Sequence, residues 1–194
     1  MVQLESDSEL DRGDAAPDFE LAGADGETYA LNDFEMEALL VVFTCNHCPY
    51  AKAKIDLLND LAAEYDDLAV VGINPNDADA YPEDSLDAMR EAVADGTVAY
   101  DAYLRDETGA VAAAYDAVCT PDPFLFGRED GGWRLRYHGR LDDALNPDDE
   151  PTELYVRDAV DAVLADEAVE IPDQPSRGCS IKSPTPGVNA GVCQ

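Results

Sequence analysis

Six consecutive apolar residues, Ala38 to Phe43, are the feature that most restricts how this chain can fold. In a strand, successive side chains point to opposite faces of the sheet, so a run that is apolar throughout is buried on both faces. The run therefore predicts a central buried strand. From Pro49 to about Asp66 the apolar residues recur at spacings of three and four, which predicts a helix directly after that strand.

Strand and helix patterns continue to alternate along the rest of the chain. A second buried strand is predicted at Leu68–Ile73, and a second helix at about residues 82–94. Glycine-containing turns separate short strand patterns within residues 16–31 and again within residues 124–137, which is typical of hairpins. We therefore predict an α/β fold whose central sheet is mixed rather than wholly parallel.

The composition divides the chain into three segments. Residues 1–13 form an acidic leader, residues 14–168 one domain, and residues 169–194 a tail rich in proline, glycine and serine that contains Cys179 and Cys193. A length of 194 residues with 46% hydrophobic content is sufficient for a single core. The tail shows no periodicity, so we predict that it is irregular.

Acidic residues dominate the charge: 43 Asp and Glu stand against 12 Lys and Arg, for a formal net charge of -31. Such a chain repels nucleic acid and anionic membranes, so neither is expected as a partner. The balance resembles that of proteins from salt-accumulating haloarchaea, where a Debye length of about 3 Å at 1 M salt screens self-repulsion. The N-terminus lacks the features of a secretory signal, and no apolar stretch approaches the roughly 20 residues of a membrane span, so we expect a cytoplasmic protein.

Cys45 and Cys48 lie at the junction between the first predicted strand and helix, separated by Asn46 and His47. Unpaired N–H groups and the positive end of the helix dipole favour a thiolate there. We predict Cys45 as the exposed attacking thiol and Cys48 as the thiol that resolves a mixed disulfide. An imidazolium at His47 would tune the thiolate; alternatively, His47 is exposed and only hydrogen-bonds solvent.

Thr120 and Pro121 immediately precede another predicted strand. An X-Pro bond takes the cis form at modest cost, and a cis Pro121 would leave the Thr120 backbone free to pair with an extended substrate. Cys119 could approach the redox pair from this position, although a small buried hydrophobe is the simpler interpretation. Cys179, in the tail, could serve as an additional resolving thiol.

These motifs occur together with Ala16–Leu21 and Tyr137–Arg140. The combination resembles the thioredoxin superfamily, and Cys45–Tyr50 together with Gly178–Lys182 is similar to peroxiredoxin-like redoxin proteins of AhpC/TSA type that carry a Cys-x-x-Cys motif. The resemblance covers about residues 14–182. It implies a thioredoxin-like fold with a central mixed sheet flanked by helices, Cys45 and Cys48 as the redox pair, and Pro121 as a cis-proline facing them.

Three functions remain open from the sequence. The first is thiol–disulfide exchange, in which the Cys45–Cys48 disulfide replaces any bound cofactor and the partners are protein or small-molecule thiols and disulfides with an unidentified reductant. The second is peroxide reduction at Cys48, although Cys45 and Val41 replace the threonine and proline of a peroxiredoxin signature. The third is zinc or copper binding by Cys45, His47 and Cys48, with Cys119 or Cys179 as a fourth ligand.

Overall fold

The structure is a computed structural model that describes residues 3–172 and 174–183. Its strands are β1 (Gln3–Glu5), β2 (Glu20–Gly23), β3 (Thr28–Ala30), β4 (Ala38–Phe43), β5 (Leu68–Asn74), β6 (Ala102–Arg105), β7 (Cys119–Thr120), β8 (Asp122–Glu129), β9 (Gly132–His138) and β10 (Arg177–Ser180).

The α-helices are α1 (Pro49–Lys52), α2 (Ile55–Glu64), α3 (Leu86–Ala94), α4 (Ala110–Ala114) and α5 (Tyr155–Leu164), and short 3-10 helices occupy Leu31–Asp33 and Pro82–Asp84. Within the described part of the chain, no helix has both the length and the apolar character that crossing a bilayer requires.

The larger sheet has seven strands in the order β3-β2-β6-β5-β4-β8-β9. Strands β4, β5 and β6 are parallel neighbours, whereas β8 runs antiparallel to β4 and continues into β9 as a hairpin. Strands β2 and β3 form the N-terminal hairpin. The prediction of a mixed sheet in an α/β fold is confirmed.

Strand β4 lies in the middle of this sheet and is buried at every position. Leu39 and Val41 face a core that also contains Tyr115, which follows α4. Leu40 and Val42 face a second core formed with side chains of α2 and α5. Full burial of each large aliphatic side chain contributes about 1.5–3 kcal/mol, so both layers hold β4, and the segment that follows it, in place.

The helix predicted from Pro49 to Asp66 is divided into α1 and α2, with Ala53 and Lys54 between them. At this break the Lys54 side chain is almost buried and donates to both carboxylate oxygens of Asp142 at 2.7 Å. The short helix α1 is thereby separated from the regular helix α2. Cys48, the second cysteine of the pair, lies at the N-terminus of α1.

The helix predicted at residues 82–94 begins later than expected. Ser85 caps α3, since its hydroxyl accepts a hydrogen bond from Ala88 N–H at 3.2 Å. Residues 82–84 form a separate 3-10 turn in front of the cap. This turn places Asp84, with no exposed surface, against Asn46 in the loop that precedes α1.

A second sheet of three strands, in the order β1-β10-β7, joins the two ends of the described chain. Cys179 pairs with Thr120 on one side of β10 and with Gln3 on the other. The prediction of an irregular tail is therefore wrong for residues 177–180, and the acidic leader contains a strand. Strand β10 is defined by its distant partners rather than by a local pattern. Cys193 lies outside the described residues.

Candidate functional site

The cysteine pair lies directly after the central strand, as the sequence indicated. Thr44 extends β4 by donating its N–H to Ile73 O at 2.9 Å. Cys45 follows, and Cys48 is the residue that precedes α1, with Pro49 at the first helical position. The buried sheet thus fixes one end of the pair and the helix fixes the other.

Thr120 lies against both sulfur atoms. The Cys45 Sγ atom is 3.2 Å from Thr120 Oγ1, and Cys48 Sγ is 3.5 Å from the Thr120 carbonyl oxygen. The Thr120–Pro121 peptide bond is cis. The structure therefore brings together Cys45, Cys48, Thr120 and Pro121. All four were predicted from the sequence as site residues, although the two pairs lie about 75 residues apart in the chain.

Both thiols are buried, which differs from the prediction of an exposed Cys45. Cys45 is 1% exposed and Cys48 has no exposed surface. The reason is β10, which pairs with β7 and packs Cys179 against the two cysteines, while Ala51 packs on them from α1. The backbone edge at Thr120, which was expected to be free for a substrate, is already paired with β10.

The two cysteines have opposite electrostatic environments. A hydrogen bond from the Cys45 thiol is the main cause that lowers the pKa of Cys48 to about 5, and the Cys179 thiol and the N–H groups of Ala51 and Cys179 add to it. The same Cys45–Cys48 hydrogen bond, burial and the nearby charge of Asp84 raise the pKa of Cys45 well above its ordinary value. The lowered pKa favours a thiolate on Cys48, and the raised pKa favours a protonated thiol on Cys45.

His47 is enclosed rather than exposed, with 8% of its side chain accessible. Its Nδ1 atom pairs with Asp84 Oδ2, and its ring stacks on Tyr81 with centroids 4.3 Å apart. Its Nε2 atom is buried without a hydrogen-bond partner. The alternative that His47 only hydrogen-bonds solvent is therefore wrong, and its tuning role stays a prediction.

Asp84 is a site residue that the sequence reasoning missed. Besides His47 it binds the backbone of the cysteine loop, accepting a hydrogen bond from Asn46 N–H at 2.7 Å. The Asn46 side chain donates to Glu83 O at 2.9 Å and accepts from Tyr103 Oη at 2.8 Å. The loop between the cysteines is thus held on both sides by polar contacts, and Asp84 is the central one.

The two additional thiols differ in their relation to the pair. Cys179 is 3% exposed and belongs to the cluster formed by Cys45, Cys48 and Ala51. Burial and its hydrogen bond to Cys48 raise the pKa of Cys179 to about 12. Cys119 is fully buried in β7, and burial raises the pKa of its thiol. The interpretation of Cys119 as a small buried group agrees with this position.

A group of potential metal ligands is present, but it is not the predicted set. One ligand atom each from Cys45, His47 and Asp84 lies within 4.8 Å of the other two. Sulfur, imidazole and carboxylate ligands suit zinc. His47 and Asp84 already bind each other, so coordination of a metal would replace that contact.

A second buried acid–histidine pair lies next to the cis-proline. His138 Nε2 and Asp122 Oδ1 are 2.9 Å apart, and the His138 ring stacks on Phe124 with centroids 4.2 Å apart. Burial raises the pKa of Asp122, and His138 opposes that shift. These contacts give His138 a structural role beside the cis-proline.

Comparison with known families now adds to the geometry. The AhpC/TSA family model matches residues 12–135, which is more than half of the chain. The chain belongs to the AhpC/TSA family. Its membership supports an oxidoreductase role in general terms.

Solved structures similar to this AhpC/TSA protein extend the comparison over nearly the whole chain. A conserved protein from Geobacillus kaustophilus is 37% identical with a TM-score of 0.87, covering 96% of this chain and 98% of its own. A Sinorhizobium meliloti protein is 41% identical with a TM-score of 0.83, covering 94% and 99%. The comparison with curated proteins found no match.

A third structure connects the AhpC/TSA protein to a wider group. A Chlorobium tepidum protein, provisionally named a thiol:disulfide interchange protein, is 26% identical with a TM-score of 0.54, covering 67% of this chain and 85% of its own. The thioredoxin-like fold predicted from the sequence is confirmed.

Proposed function

We propose that this protein is a thiol–disulfide oxidoreductase in which Cys45 and Cys48 alternate between a dithiol and a disulfide. The observation that carries the proposal is the hydrogen-bonded pair, with a lowered pKa at Cys48 and a raised pKa at Cys45. Exchange requires one thiolate to attack and a second thiol to follow. The name of the Chlorobium tepidum neighbour agrees with this chemistry.

The electrostatics favour Cys48 as the first nucleophile, which reverses the order predicted from the sequence. The Cys48 thiolate attacks one sulfur of a disulfide R–S–S–R′, the S–S bond breaks, and R′S⁻ leaves. Cys45 then attacks the Cys48 sulfur of the mixed disulfide. The products are a Cys45–Cys48 disulfide and RSH, because the Cys45 proton passes to the leaving thiolate.

The His47–Asp84 pair supports the second step. Its ligand atoms lie within 4.8 Å of the Cys45 sulfur, so it can receive the Cys45 proton before the leaving thiolate does. Asp84 also raises the pKa of Cys45 by its charge, which keeps this thiol protonated while Cys48 is the thiolate. In this proposal His47 moves the proton and Asp84 positions His47.

The burial of both sulfurs restricts the substrate. With β10 in place, Cys48 has no exposed surface and the Thr120 edge is paired, so a polypeptide cannot lie beside the pair as an added strand. Any disulfide therefore needs a local opening at β10 to reach Cys48. Small disulfides and small thiol reductants need the smaller opening, so they are the preferred partners. A protein substrate requires β10 to leave.

Exchange kinetics in several molar salt test the proposal. We expect reduction of a small disulfide by the wild type, and a loss of at least about a hundredfold in Cys48→Ser because the nucleophile is removed. Cys45→Ser should still react with the disulfide at Cys48 but should form no Cys45–Cys48 disulfide, because the second thiol of the pair is removed. The matched control is Cys119→Ser, which removes another buried thiol and should retain wild-type exchange. Full activity in Cys48→Ser would refute the assignment.

Peroxide reduction is the second candidate, favoured by the thiolate at Cys48 in a member of this family. The Cys48 thiolate would take one oxygen from hydrogen peroxide to give a sulfenic acid and, after protonation, water. Condensation with the Cys45 thiol would then give the same disulfide and a second water. Peroxide turnover that depends on Cys48 and exceeds disulfide turnover would make this the main function.

Metal content separates the remaining alternative from both redox functions. The freshly purified protein is analysed for zinc and copper before and after alkylation of the cysteine pair. About one equivalent of metal that is lost on alkylation would favour a site at Cys45, His47 and Asp84. A metal-free protein with active exchange would support the redox proposal.

A further inference from the structure

Strand β10 occupies the position that a substrate strand would take at the redox site. Cys179 pairs with Thr120, and Ser180 pairs with Cys119, in an antiparallel register. Ser176, just before the strand, donates its hydroxyl to Pro121 O at 2.6 Å. A segment of the chain itself is thus bound to the cis-proline edge as an extended strand.

Gly178 permits this close approach. A Cβ atom on Gly178 would lie 1.9 Å from Thr120 O and 3.0 Å from Pro121 N, both of which are backbone atoms. Real Cβ atoms do not approach backbone this closely, so any other residue would displace the strand. Glycine is the residue that allows a backbone to lie directly against another backbone or a ligand.

The register of β10 directs Cys179 toward the redox pair. The Cys179 thiol donates a hydrogen bond to the Cys48 sulfur, and its own N–H lies close enough to favour the Cys48 thiolate. Cys179 also packs in the same buried cluster as Cys45. Cys48 therefore lies in hydrogen-bonding contact with two thiols, Cys45 from its own loop and Cys179 from β10.

We propose that Cys179 is a second resolving thiol, and that β10 presents it to Cys48 as a built-in substitute for a substrate strand. This inference rests on the proposed function, because it needs a Cys48 that reacts with a disulfide. It adds a Cys48–Cys179 disulfide as an alternative to the Cys45–Cys48 disulfide.

The reaction balances with the same oxidant. The Cys48 thiolate attacks R–S–S–R′ and R′S⁻ leaves, so that Cys48 carries a mixed disulfide with R. Cys179 then attacks the Cys48 sulfur, its proton passes to the leaving thiolate, and RSH is released. The disulfide substrate is reduced by two electrons, and Cys48 and Cys179 are oxidised by two. Burial is the main cause that raises the pKa of Cys179, and the contact with Cys48, which adds to it, is lost once Cys48 is no longer a thiolate.

The sequence makes the new disulfide simple to detect. Cleavage after lysine and arginine places Cys45 and Cys48 in the peptide of residues 13–52 and Cys179 in the peptide of residues 178–182. Cys119 falls in the peptide of residues 106–128, and Cys193 in that of residues 183–194. A covalent link between peptides 13–52 and 178–182 therefore identifies a bond to Cys179.

The experiment oxidises the reduced full-length protein with a stoichiometric small disulfide in several molar salt, blocks free thiols in acid and maps the peptides without reduction. In Cys45→Ser we expect the link between peptides 13–52 and 178–182, with both halves of the small disulfide released as thiols. In the double variant Cys45→Ser with Cys179→Ser, the reaction should stop at the mixed disulfide on Cys48, with half as much thiol released. Cys119→Ser should leave the link of the wild type unchanged.

Two further outcomes overturn the inference and remain distinguishable. If Cys45→Ser carries one half of the small disulfide on Cys48 while Cys179 is recovered blocked and unlinked, the inference fails and the proposed function stands. If Cys48 does not react in the wild type, both fail. The wild type also provides a test without substitution, because a measurable fraction of its oxidised molecules should carry the link between peptides 13–52 and 178–182.

Discussion

Asp84 is one of 43 acidic residues in the chain, and it has no exposed surface. Its oxygens bind the Asn46 backbone and His47, so it positions the loop between the cysteines. A sequence pattern that assigns acidic residues to a solvated surface cannot single out this one. Its position follows from the 3-10 turn that Ser85 separates from α3, and this turn is not encoded in the helical periodicity.

The first residue-scale prediction concerns the ionisation of Cys48. Because its pKa is lowered from 9.0 to about 5, the thiolate should be present at neutral pH and should take up a proton as pH falls through about 5. The stability that the thiolate contributes is fully present above the ordinary thiol pKa of 9.0. It decreases as pH falls below that value and is lost once pH has fallen through about 5. The ultraviolet absorbance of the thiolate, measured from about pH 3 to about pH 8 on the reduced protein, should show this step.

Variants of Cys45 provide the control for that titration. Cys45→Ala removes the donor that most lowers the pKa of Cys48, so the step should move upward by at least about one pH unit. Cys45→Ser keeps a donor and should move it less. A step near pH 5 that persists in Cys48→Ala would show that another group is responsible.

The second residue-scale prediction concerns Asp84. Asp84→Ala leaves the partly buried Asn46 N–H and the His47 ring without their acceptor, so we expect a loss of about 1–3 kcal/mol in the free energy of unfolding. Asp84→Asn keeps one acceptor oxygen and should lose less. Denaturant unfolding in several molar salt measures both. Glu83→Gln, at the exposed neighbouring position, is the control and should be neutral; equal losses in all three variants would contradict the role of Asp84.

At the scale of elements, the same chain contains segments that are easy and difficult to predict. Strand β4 was predicted at residues 38–43 and has those bounds, because six consecutive apolar residues indicate burial on both faces. Strand β10 reads Arg-Gly-Cys-Ser and shows neither alternation nor branched side chains. It is a strand because β1 and β7 supply its hydrogen bonds, and those partners lie far away in the sequence.

The element-scale prediction is that Gly178→Ala displaces β10. The added Cβ would collide with the Thr120 carbonyl, so the strand must move away from the cis-proline edge. Cys45 and Cys48 should then become accessible, and their alkylation rate, followed by mass spectrometry, should rise by at least about tenfold, since local opening would no longer limit the reaction.

Gly132→Ala is the matched control for this substitution. Its Cβ would meet only Glu129 O at 3.9 Å, an ordinary contact distance. The alkylation rate should stay at the wild-type value. An unchanged rate in Gly178→Ala would mean that β10 does not cover the pair in solution.

At the scale of the whole molecule, the net charge of -31 controls stability. Charges of one sign repel each other over a Debye length that falls from about 10 Å at 0.1 M salt to about 3 Å at 1 M. We therefore expect the unfolding midpoint to rise with potassium chloride up to several molar, by about 2–4 °C for each kcal/mol gained. Calorimetry with sucrose at matched osmolality is the control, because sucrose does not screen charge. A midpoint that falls with salt would contradict the interpretation.

The fold as a whole was more predictable than the site. The alternation of strands and helices, together with the family motifs, was sufficient for the mixed thioredoxin-like sheet and for the position of Cys45 and Cys48. The burial of that pair was not predictable, because it depends on a strand from the opposite end of the chain. The direction of the thiol pKa shifts depends on the same packing.

The position of β10 also bears on how the protein is made. Residues 177–180 follow all the other described elements in the sequence, so they leave the ribosome after the seven-stranded sheet and the cysteine loop have emerged. Domains synthesised from the N-terminus begin to fold before the chain is complete. We therefore expect the cysteine pair to be uncovered until β10 has emerged, and to be more accessible to cellular thiols and disulfides in the nascent chain than in the finished protein.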